Sequence, residues 1–339
     1  MGRRTQVMKP PLESSLFVMT AADIVAARDR IAPHVRRTPL LASSWLSAIA
    51  GADVRLKLES LQITNSFKLR GAVNASAAFV ERHGGGRDPA GQIVTASAGN
   101  HGRAMAFAAG RLGLALVVFA PRSAPRAKLD FIARHGADLR PADTYEDAEQ
   151  MAKAFAIETD ATYISPYSHP DVIAGAATLA VEIFEDWPEV DTIVASVGGG
   201  GLVSGIAVAN RALDGRAEVV GVECDASPAF HEALKAGRIV EVEVHQTLAD
   251  GLAGNMDPES ITFDLVRRHV GRTVLAPESV IADAIRGLFE RERLIAEGAG
   301  ATAVAGLLSG LPVAGRNVAV VVSGSNIDAG LLAKVLGGA

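Results

Sequence analysis

The sequence contains almost no cysteine and few aromatic residues. Cys224 is the single cysteine among 339 residues, which excludes an internal disulfide framework and a zinc site built on cysteines. Aromatic residues make up only 5%, so the core must be built from small aliphatic side chains. No apolar run of about 18 residues occurs, and no signal peptide follows Met1. We therefore expect no membrane span and a cytoplasmic location.

The charges nearly balance, with 33 Lys and Arg against 38 Asp and Glu, a net charge of −5. A mildly acidic chain is a poor candidate for binding nucleic acid non-specifically. Hydrophobic residues make up 49% and glycines number 34, which suggests close packing of helices on sheets. The length leaves room for one large or two ordinary domains of the α/β class.

Strand-like and helix-like segments alternate from Gly91 onward. Continuously apolar strands are predicted at 92–97, 115–120, 163–164, 192–197, 219–223 and 317–322. Helices are predicted at 101–112, 125–135, 145–158, 173–185, 202–213 and 279–291. This alternation predicts parallel sheets covered on both faces. The stretch 83–89 is a candidate hinge, and residues 1–15 are predicted to form a loosely held tail.

Four consecutive glycines, Gly198 to Gly201, follow a predicted strand and precede a predicted helix. Free backbone N–H groups and the positive end of the helix would meet there, which favours a phosphate. A tight turn alone would need only one or two glycines. On this segment alone a nicotinamide cofactor is a competing interpretation, because Glu223 ends the next strand where a ribose-binding acid would lie.

Lys68 lies near the start of a predicted helix, after the potential cap Asn65-Ser66. Burial and the helix dipole would lower the pKa of this amine and make it a better nucleophile. The ordinary alternative is a solvated surface lysine.

Two further segments place polar groups at strand ends. The segment 97–102 opens a helix directly after a strand, so a carboxylate would bind there, and Asn100 can donate to a carbonyl or phenolate oxygen. Asn100 would otherwise be an ordinary helix cap. Ser323 ends the last predicted strand, where ligands gather in open α/β sheets, although a simple turn would look the same.

Taken together and in this order, the four segments resemble the fold-type-II pyridoxal-phosphate enzymes, and most closely the serine/threonine dehydratase and serine racemase group. The resemblance runs from Thr38 to Asp328. It implies a tryptophan synthase β-like α/β fold with two parallel-sheet domains and pyridoxal 5′-phosphate between them. The large domain would comprise 16–90 and 169–339, and the small domain 91–168. A small amino-acid substrate and a homodimer are also implied.

The resemblance assigns Lys68 as the catalytic lysine that carries the cofactor as a Schiff base. Cofactor contacts are implied at Phe67, Lys68, Asn100, Gly198, Gly199, Gly200, Gly201, Leu202, Gly251, Glu297 and Ser323. Substrate contacts are implied at Ser97, Ala98, Gly99, Asn100 and His101. Ser323 would face the pyridine nitrogen. A serine there leaves the ring neutral, which favours loss of a β-leaving group.

The sequence departs from the group's pattern in several places, including Ser325, which replaces a usual glycine after Ser323. Ile63 and Asn65 replace the usual proline and glycine before the lysine, although Asn65 tolerates a left-handed backbone. Some relatives bind a divalent cation through an acid at the position of Glu223 and a second acid six residues on. That second position is Ala229 here, so a cation is doubtful, and Asp225 is the alternative second ligand.

The resemblance therefore implies elimination of water from an L-β-hydroxy amino acid, giving a 2-oxo acid and ammonia. Racemases of the group carry a hydroxyl residue where this chain has Ala98, so we expect a dehydratase, with a racemase or mixed enzyme as the alternative. A nicotinamide oxidoreductase is a more distant alternative, and a phosphate-ligand sensor is another. Neither explains the segments around Lys68 and Asn100.

Overall fold

The computed structural model describes residues 18–83, 91–313 and 315–338. The elements follow in the order α1 (Ala21–Ile31), β1 (Leu40–Ala42), α2 (Ser44–Ala50), β2 (Asp53–Leu58), a 3₁₀ turn (Glu59–Leu61), α3 (Lys68–His83), β3 (Gln92–Ala96), α4 (Asn100–Leu112), β4 (Ala115–Pro121), α5 (Arg126–Arg134), β5 (Asp138–Ala142) and α6 (Tyr145–Thr159). They continue with β6 (Thr162–Tyr163), α7 (Pro170–Asp186), β7 (Thr192–Ser196), α8 (Gly201–Ala212), β8 (Glu218–Cys224), α9 (Ala229–Ala236), α10 (Thr262–His269), β9 (Arg272–Ala276), α11 (Glu278–Glu292), α12 (Gly298–Leu308), β10 (Asn317–Val322) and α13 (Ala329–Gly337).

The strands form two sheets. Six strands pair in the order β1-β2-β10-β7-β8-β9, and four pair in the order β5-β4-β3-β6. Every pairing is parallel except that of β1 with β2, which is antiparallel. The predicted parallel sheets are confirmed, and the antiparallel β1 lies at an edge of the larger sheet, before the first predicted strand. β1 returns to β2 through the short helix α2, and only antiparallel neighbours accept so short a connection.

The strands and helices predicted after Gly91 are confirmed, with ends that differ by at most three residues. The strands β5 and β9 were not predicted, because edge strands are half exposed and lack a continuous apolar run. The candidate hinge from residue 84 onward and the tail at 1–15 lie outside the described residues. No described helix is both long and apolar enough to cross a membrane. The smaller sheet lies within 91–168, while the exact domain boundaries stay a prediction.

Helices α3, α7 and α8 pack closely because glycines stand at their contacts. A Cβ on Gly71 would lie 2.8 Å from the carbonyl oxygen of Val172. A Cβ on Gly175 would overlap the backbone of Arg70, and one on Gly205 would lie 2.8 Å from the carbonyl oxygen of Ile173. Backbone therefore meets backbone along this stack, which brings the start of α3 against α7.

A network of four buried charges lies at the same contact. The Lys57 ammonium donates to Glu182 and to the carbonyl oxygen of Thr38, both at 2.6 Å. The Arg70 guanidinium donates twice to Glu59 at 2.8 and 2.9 Å and twice to Glu182 at 2.7 and 2.8 Å. Two cations and two carboxylates balance, so these charges are buried as a neutral set of paired groups.

Replacing Arg70 should be strongly destabilising. Arg70→Met leaves Glu182 with Lys57 and Glu59 with no paired cation, and breaking a buried pair in this way costs about 3 to 5 kcal/mol. Urea unfolding should show this loss. Arg122→Met, which breaks an exposed pair with Asp143, is the matched control and should cost under about 1 kcal/mol. Similar costs for the two variants would contradict a stabilising role for the network.

Candidate active site

The predicted cofactor and substrate residues line one cavity of about 1440 Å³. It lies where β3, β7 and β10 end, the edge at which ligands bind in parallel sheets. Its lining includes Phe67, Lys68, Ser97, Ala98, Gly99, Asn100, His101, Gly198, Gly199, Gly200, Gly201, Leu202, Gly251, Glu297 and Ser323. The four segments, which are far apart in sequence, therefore line the same cavity. Glu223 is not part of this lining.

Lys68 is the first residue of α3, and its amine lies inside the cavity. The Nζ atom donates to the carbonyl oxygen of Pro166 at 2.7 Å. Burial lowers the pKa of the amine to about 8. A carbonyl accepts a hydrogen bond without neutralising charge, so the amine is held in place while remaining a good nucleophile.

The segment before Lys68 is fixed by the loop that follows β10. The Phe67 N–H donates to the Ser323 carbonyl at 3.0 Å, and the Ser325 N–H donates to the Asn65 carbonyl at 2.9 Å. Asn65 has φ 60°, so it adopts the left-handed backbone expected of it. The predicted cap is wrong, because the buried hydroxyl of Ser66 has no partner among the described residues. These contacts place the lysine beside the end of β10.

The glycine loop is tightly enclosed. A Cβ on Gly199 would overlap the ring of Tyr167, and one on Gly200 would lie 2.5 Å from Cζ of Phe230. Gly200 also has φ +83°, where glycine is strongly preferred. No acceptor among the described residues takes the backbone N–H groups of the loop, and α8 begins at Gly201. The loop therefore offers unpaired donors at a helix N-terminus, which suits a phosphate.

Asn100 is held through its side chain. The N-cap of α4 is Gly99, so Asn100 is not the helix cap. Its amide nitrogen donates to Glu297 at 2.5 Å, and its amide oxygen accepts from Asn326 at 2.6 Å. These two bonds fix which way the amide points. Asn326 was missed by the sequence reasoning, although it lies only three residues after the predicted Ser323.

Two more buried groups border the chamber. Burial raises the pKa of Glu297 to about 7. The His101 ring is 2% exposed, and neither of its nitrogens has a partner among the described residues. Burial lowers the pKa of this histidine well below its usual range, so the ring is neutral. Ser323 is also buried, and its hydroxyl donates to the Ala299 carbonyl at 3.4 Å.

Glu223 has a different environment. Its two carboxylate oxygens accept from the backbone N–H groups of Phe230 and His231 at 2.7 and 2.8 Å. Asp225, the alternative second acid, is exposed. No group of three or more metal-ligating side chains occurs in the part of the chain that the structure describes. The side chains around Glu223 therefore do not fit a divalent cation. Because both carboxylate oxygens already accept backbone hydrogen bonds, Glu223 is also poorly placed to bind a ribose hydroxyl.

The comparison with known families agrees with this geometry. A family profile described as "Pyridoxal-phosphate dependent enzyme" matches residues 31–324. The chain belongs to this family. Its cofactor is pyridoxal 5′-phosphate, and the nicotinamide interpretation of the glycine loop is set aside. The lysine amine and the open N–H groups of the glycine loop fit the aldehyde and the phosphate of that cofactor.

Individual relatives cover nearly the whole chain. The L-threonine ammonia-lyase of Thermotoga maritima is 39% identical over 94% of this chain and 78% of the relative. The beta-hydroxyaspartate dehydratase of Paracoccus denitrificans is 33% identical over 92% of this chain and 98% of the relative. The structure of maize serine racemase matches with a TM-score of 0.85 and 30% identity, over 95% of this chain and 98% of that chain. The predicted fold type is confirmed, and the names of the two lyases agree with the predicted lyase chemistry.

The lowered pKa of Lys68 should be visible in the stability of the cofactor-free enzyme. Because the folded-state pKa is about 8 and the ordinary value is 10.5, the unfolded chain binds more protons between these pH values. At about pH 7, Lys68→Met should be more stable than wild type by about 3 kcal/mol, and the difference should vanish as the pH rises through this window. Urea unfolding from about pH 7 to pH 10.5 measures it, with the exposed Lys334→Met as a control for loss of one lysine. A stability difference between the variant and wild type that stays constant across this range would contradict the lowered pKa of Lys68.

Proposed function

We propose that this enzyme is an ammonia-lyase that eliminates water from an L-β-hydroxy amino acid with a neutral side chain, releasing a 2-oxo acid and ammonia. The observation that carries the proposal is that one cavity is lined both by Lys68, whose amine has a lowered pKa, and by Ala98, which has no ionisable group. One group that can exchange a proton with the substrate Cα is sufficient for elimination. Inversion at Cα needs a second group on the opposite face.

We assign the following roles to the residues of the chain. Bound pyridoxal phosphate supplies an electrophilic carbon for the substrate amine and a ring that accepts the electrons released at Cα. Lys68 would hold the cofactor through Nζ, and the same atom would accept the proton from the substrate Cα. The glycine loop binds the phosphate through its backbone N–H groups.

The remaining roles concern the substrate and the ring. The backbone at the start of α4 binds the substrate carboxylate, and Asn100 donates to an oxygen of the bound molecules. The amide of Asn100 is pre-oriented by Glu297 and Asn326. Ser323 presents a hydroxyl and not a carboxylate, so it cannot keep a pyridine nitrogen protonated, and this favours rapid loss of the β-hydroxyl.

The charges of the cavity favour a neutral substrate side chain. The described lining carries eight carboxylates and five cationic side chains. Of the cations other than Lys68, Lys128 is paired with Asp250, Lys153 with Glu149 and Asp257, and Arg267 with Asp264, while Arg238 is exposed. A β-carboxylate such as that of hydroxyaspartate would therefore enter a chamber of like charge. Threonine and serine avoid this repulsion, and the name of the Thermotoga relative agrees with threonine.

A racemase is the second candidate function, because maize serine racemase shares the fold at 30% identity. Ala98 argues against it, since its methyl group cannot carry a proton to the second face. On the resemblance alone we also propose that the enzyme is a homodimer in the cytoplasm.

Lys68→Ala should abolish both covalent attachment of the cofactor and turnover. Borohydride reduction followed by peptide mass spectrometry should find the cofactor mass on the peptide containing Lys68 in wild type and nowhere in the variant. Loss of the nucleophile and proton acceptor should lower 2-oxo acid release by at least about 10³-fold. The exposed Lys334→Ala is the control and should retain attachment and turnover. Cofactor found on another lysine, or surviving turnover, would contradict the assignment.

Substrate preference should follow the charge of the cavity. We expect kcat/KM for L-threonine or L-serine to exceed that for L-threo-3-hydroxyaspartate by roughly tenfold or more, equivalent to about 1.4 kcal/mol of repulsion. Release of 2-oxo acid measures it, and raising the ionic strength should narrow the ratio. Chiral analysis of the L-serine incubations checks the alternative in the same samples. A preference for hydroxyaspartate would contradict the proposal that the substrate has a neutral side chain. Prompt formation of D-serine would contradict the proposal that proton transfer occurs on only one face of Cα.

A further inference from the structure

Glu223 is a buried carboxylate that the proposed chemistry does not use. It lies at the end of β8, next to the β7 end from which the glycine loop emerges, and is only 1% exposed. Burial raises the pKa of its carboxyl to about 7, while the backbone N–H groups of Phe230 and His231 act in the opposite direction. An ionisable group in such a position is costly unless it is fully paired. The hydrogen bonds that compensate for the burial of Glu223 therefore indicate what this carboxylate does in the fold.

The partners of Glu223 are backbone N–H groups in the first turn of α9. That helix has Pro228 as its N-cap residue and no side-chain cap of its own. Glu223, seven residues earlier in sequence, accepts from the second and third residues of the helix. A carboxylate at this end also interacts favourably with the helix dipole. Glu223 thus supplies from the sheet the cap that the local sequence of α9 lacks.

One of the two capped residues supports the glycine loop directly. The Phe230 ring is fully buried, and its Cζ atom lies 2.5 Å from where a Cβ on Gly200 would be. Thr262 lies against the same glycine and donates to the carbonyl oxygen of Gly199 at 2.8 Å. The loop therefore rests on Phe230 on one side, so a shift of α9 would change the direction of the N–H groups that face the cofactor phosphate.

We propose that Glu223 is a positioning residue for cofactor binding, which acts through the N-terminus of α9 and the Phe230 ring to fix the glycine loop. The same contacts replace the divalent cation that some relatives bind through an acid at this position. Ala229 stands where the second acid would be, and both oxygens of Glu223 are already occupied by backbone donors. Cofactor affinity in this enzyme should therefore not depend on a divalent cation.

The experiment measures cofactor affinity separately from stability. Equilibrium dialysis of the holoenzyme against stepped concentrations of pyridoxal phosphate gives the dissociation constant, and thermal unfolding gives the stability. Glu223→Ala should weaken cofactor binding roughly tenfold, the equivalent of one lost cap. Phe230→Leu should weaken it as well, and the double variant should lose less than the sum because the two residues act in series. Glu223→Gln keeps one acceptor and should lie between wild type and Glu223→Ala.

Thr20→Ala is the matched control, because it removes the side-chain cap of α1 outside the cavity. It should lower the unfolding temperature while leaving the dissociation constant of the cofactor unchanged. Wild-type affinity should also be the same in EDTA and in millimolar Mg²⁺. Unchanged cofactor affinity in Glu223→Ala would overturn the positioning role. A saturable gain in affinity on adding Mg²⁺, lost in Glu223→Ala, would show that a cation binds there instead. These readouts concern the cofactor only, so a wrong substrate assignment would leave them unaffected.

Discussion

The position of the reactive amine depends on the buried ion network of Lys57, Glu59, Arg70 and Glu182. Arg70 lies two residues after Lys68, in the first turn of α3, and its guanidinium binds both carboxylates through paired hydrogen bonds. The donors of a guanidinium form a planar, rigid fork, so both carboxylates can be satisfied in one orientation only. The network therefore fixes the start of α3 relative to the strand β2 and the helix α7.

The glycine contacts between helices and the ion network depend on each other. A Cβ on Gly175 would overlap the backbone of Arg70 and push α3 away from α7. Glu182 lies on α7, so this separation would lengthen its bonds to Arg70 and leave a buried charge poorly paired. The abundance of glycine is thus partly a requirement for burying these charges. It is also a requirement of the glycine loop, since Gly199 and Gly200 have no room for a side chain.

Only the glycine loop was predicted from a short segment by itself. Four glycines between a strand and a helix create unpaired backbone donors wherever the chain runs, whereas the role predicted for Lys68 followed from the resemblance of the four segments taken together. Asn326 and Phe230 carried no such signal, because each acts on a residue distant in sequence. The role of Glu223 was missed for the same reason: capping of α9 from the end of β8 follows from the sheet and not from either segment. The antiparallel pairing of β1 could not be predicted either, because a sequence pattern indicates local conformation and not which strand lies alongside.

The burial of the amine, with no charged partner beside it among the described residues, keeps the pKa of Lys68 low. A carboxylate beside Lys68 would favour its charged form and reduce its nucleophilicity. The carboxylates of Glu59 and Glu182 are engaged by Arg70 and Lys57, and the direct partner of Lys68 is the uncharged carbonyl of Pro166. Burial alone then determines the pKa of the amine. The ion network therefore acts on Lys68 through position and not through charge, because the side chains of Lys68 and Arg70, two residues apart on α3, do not face each other.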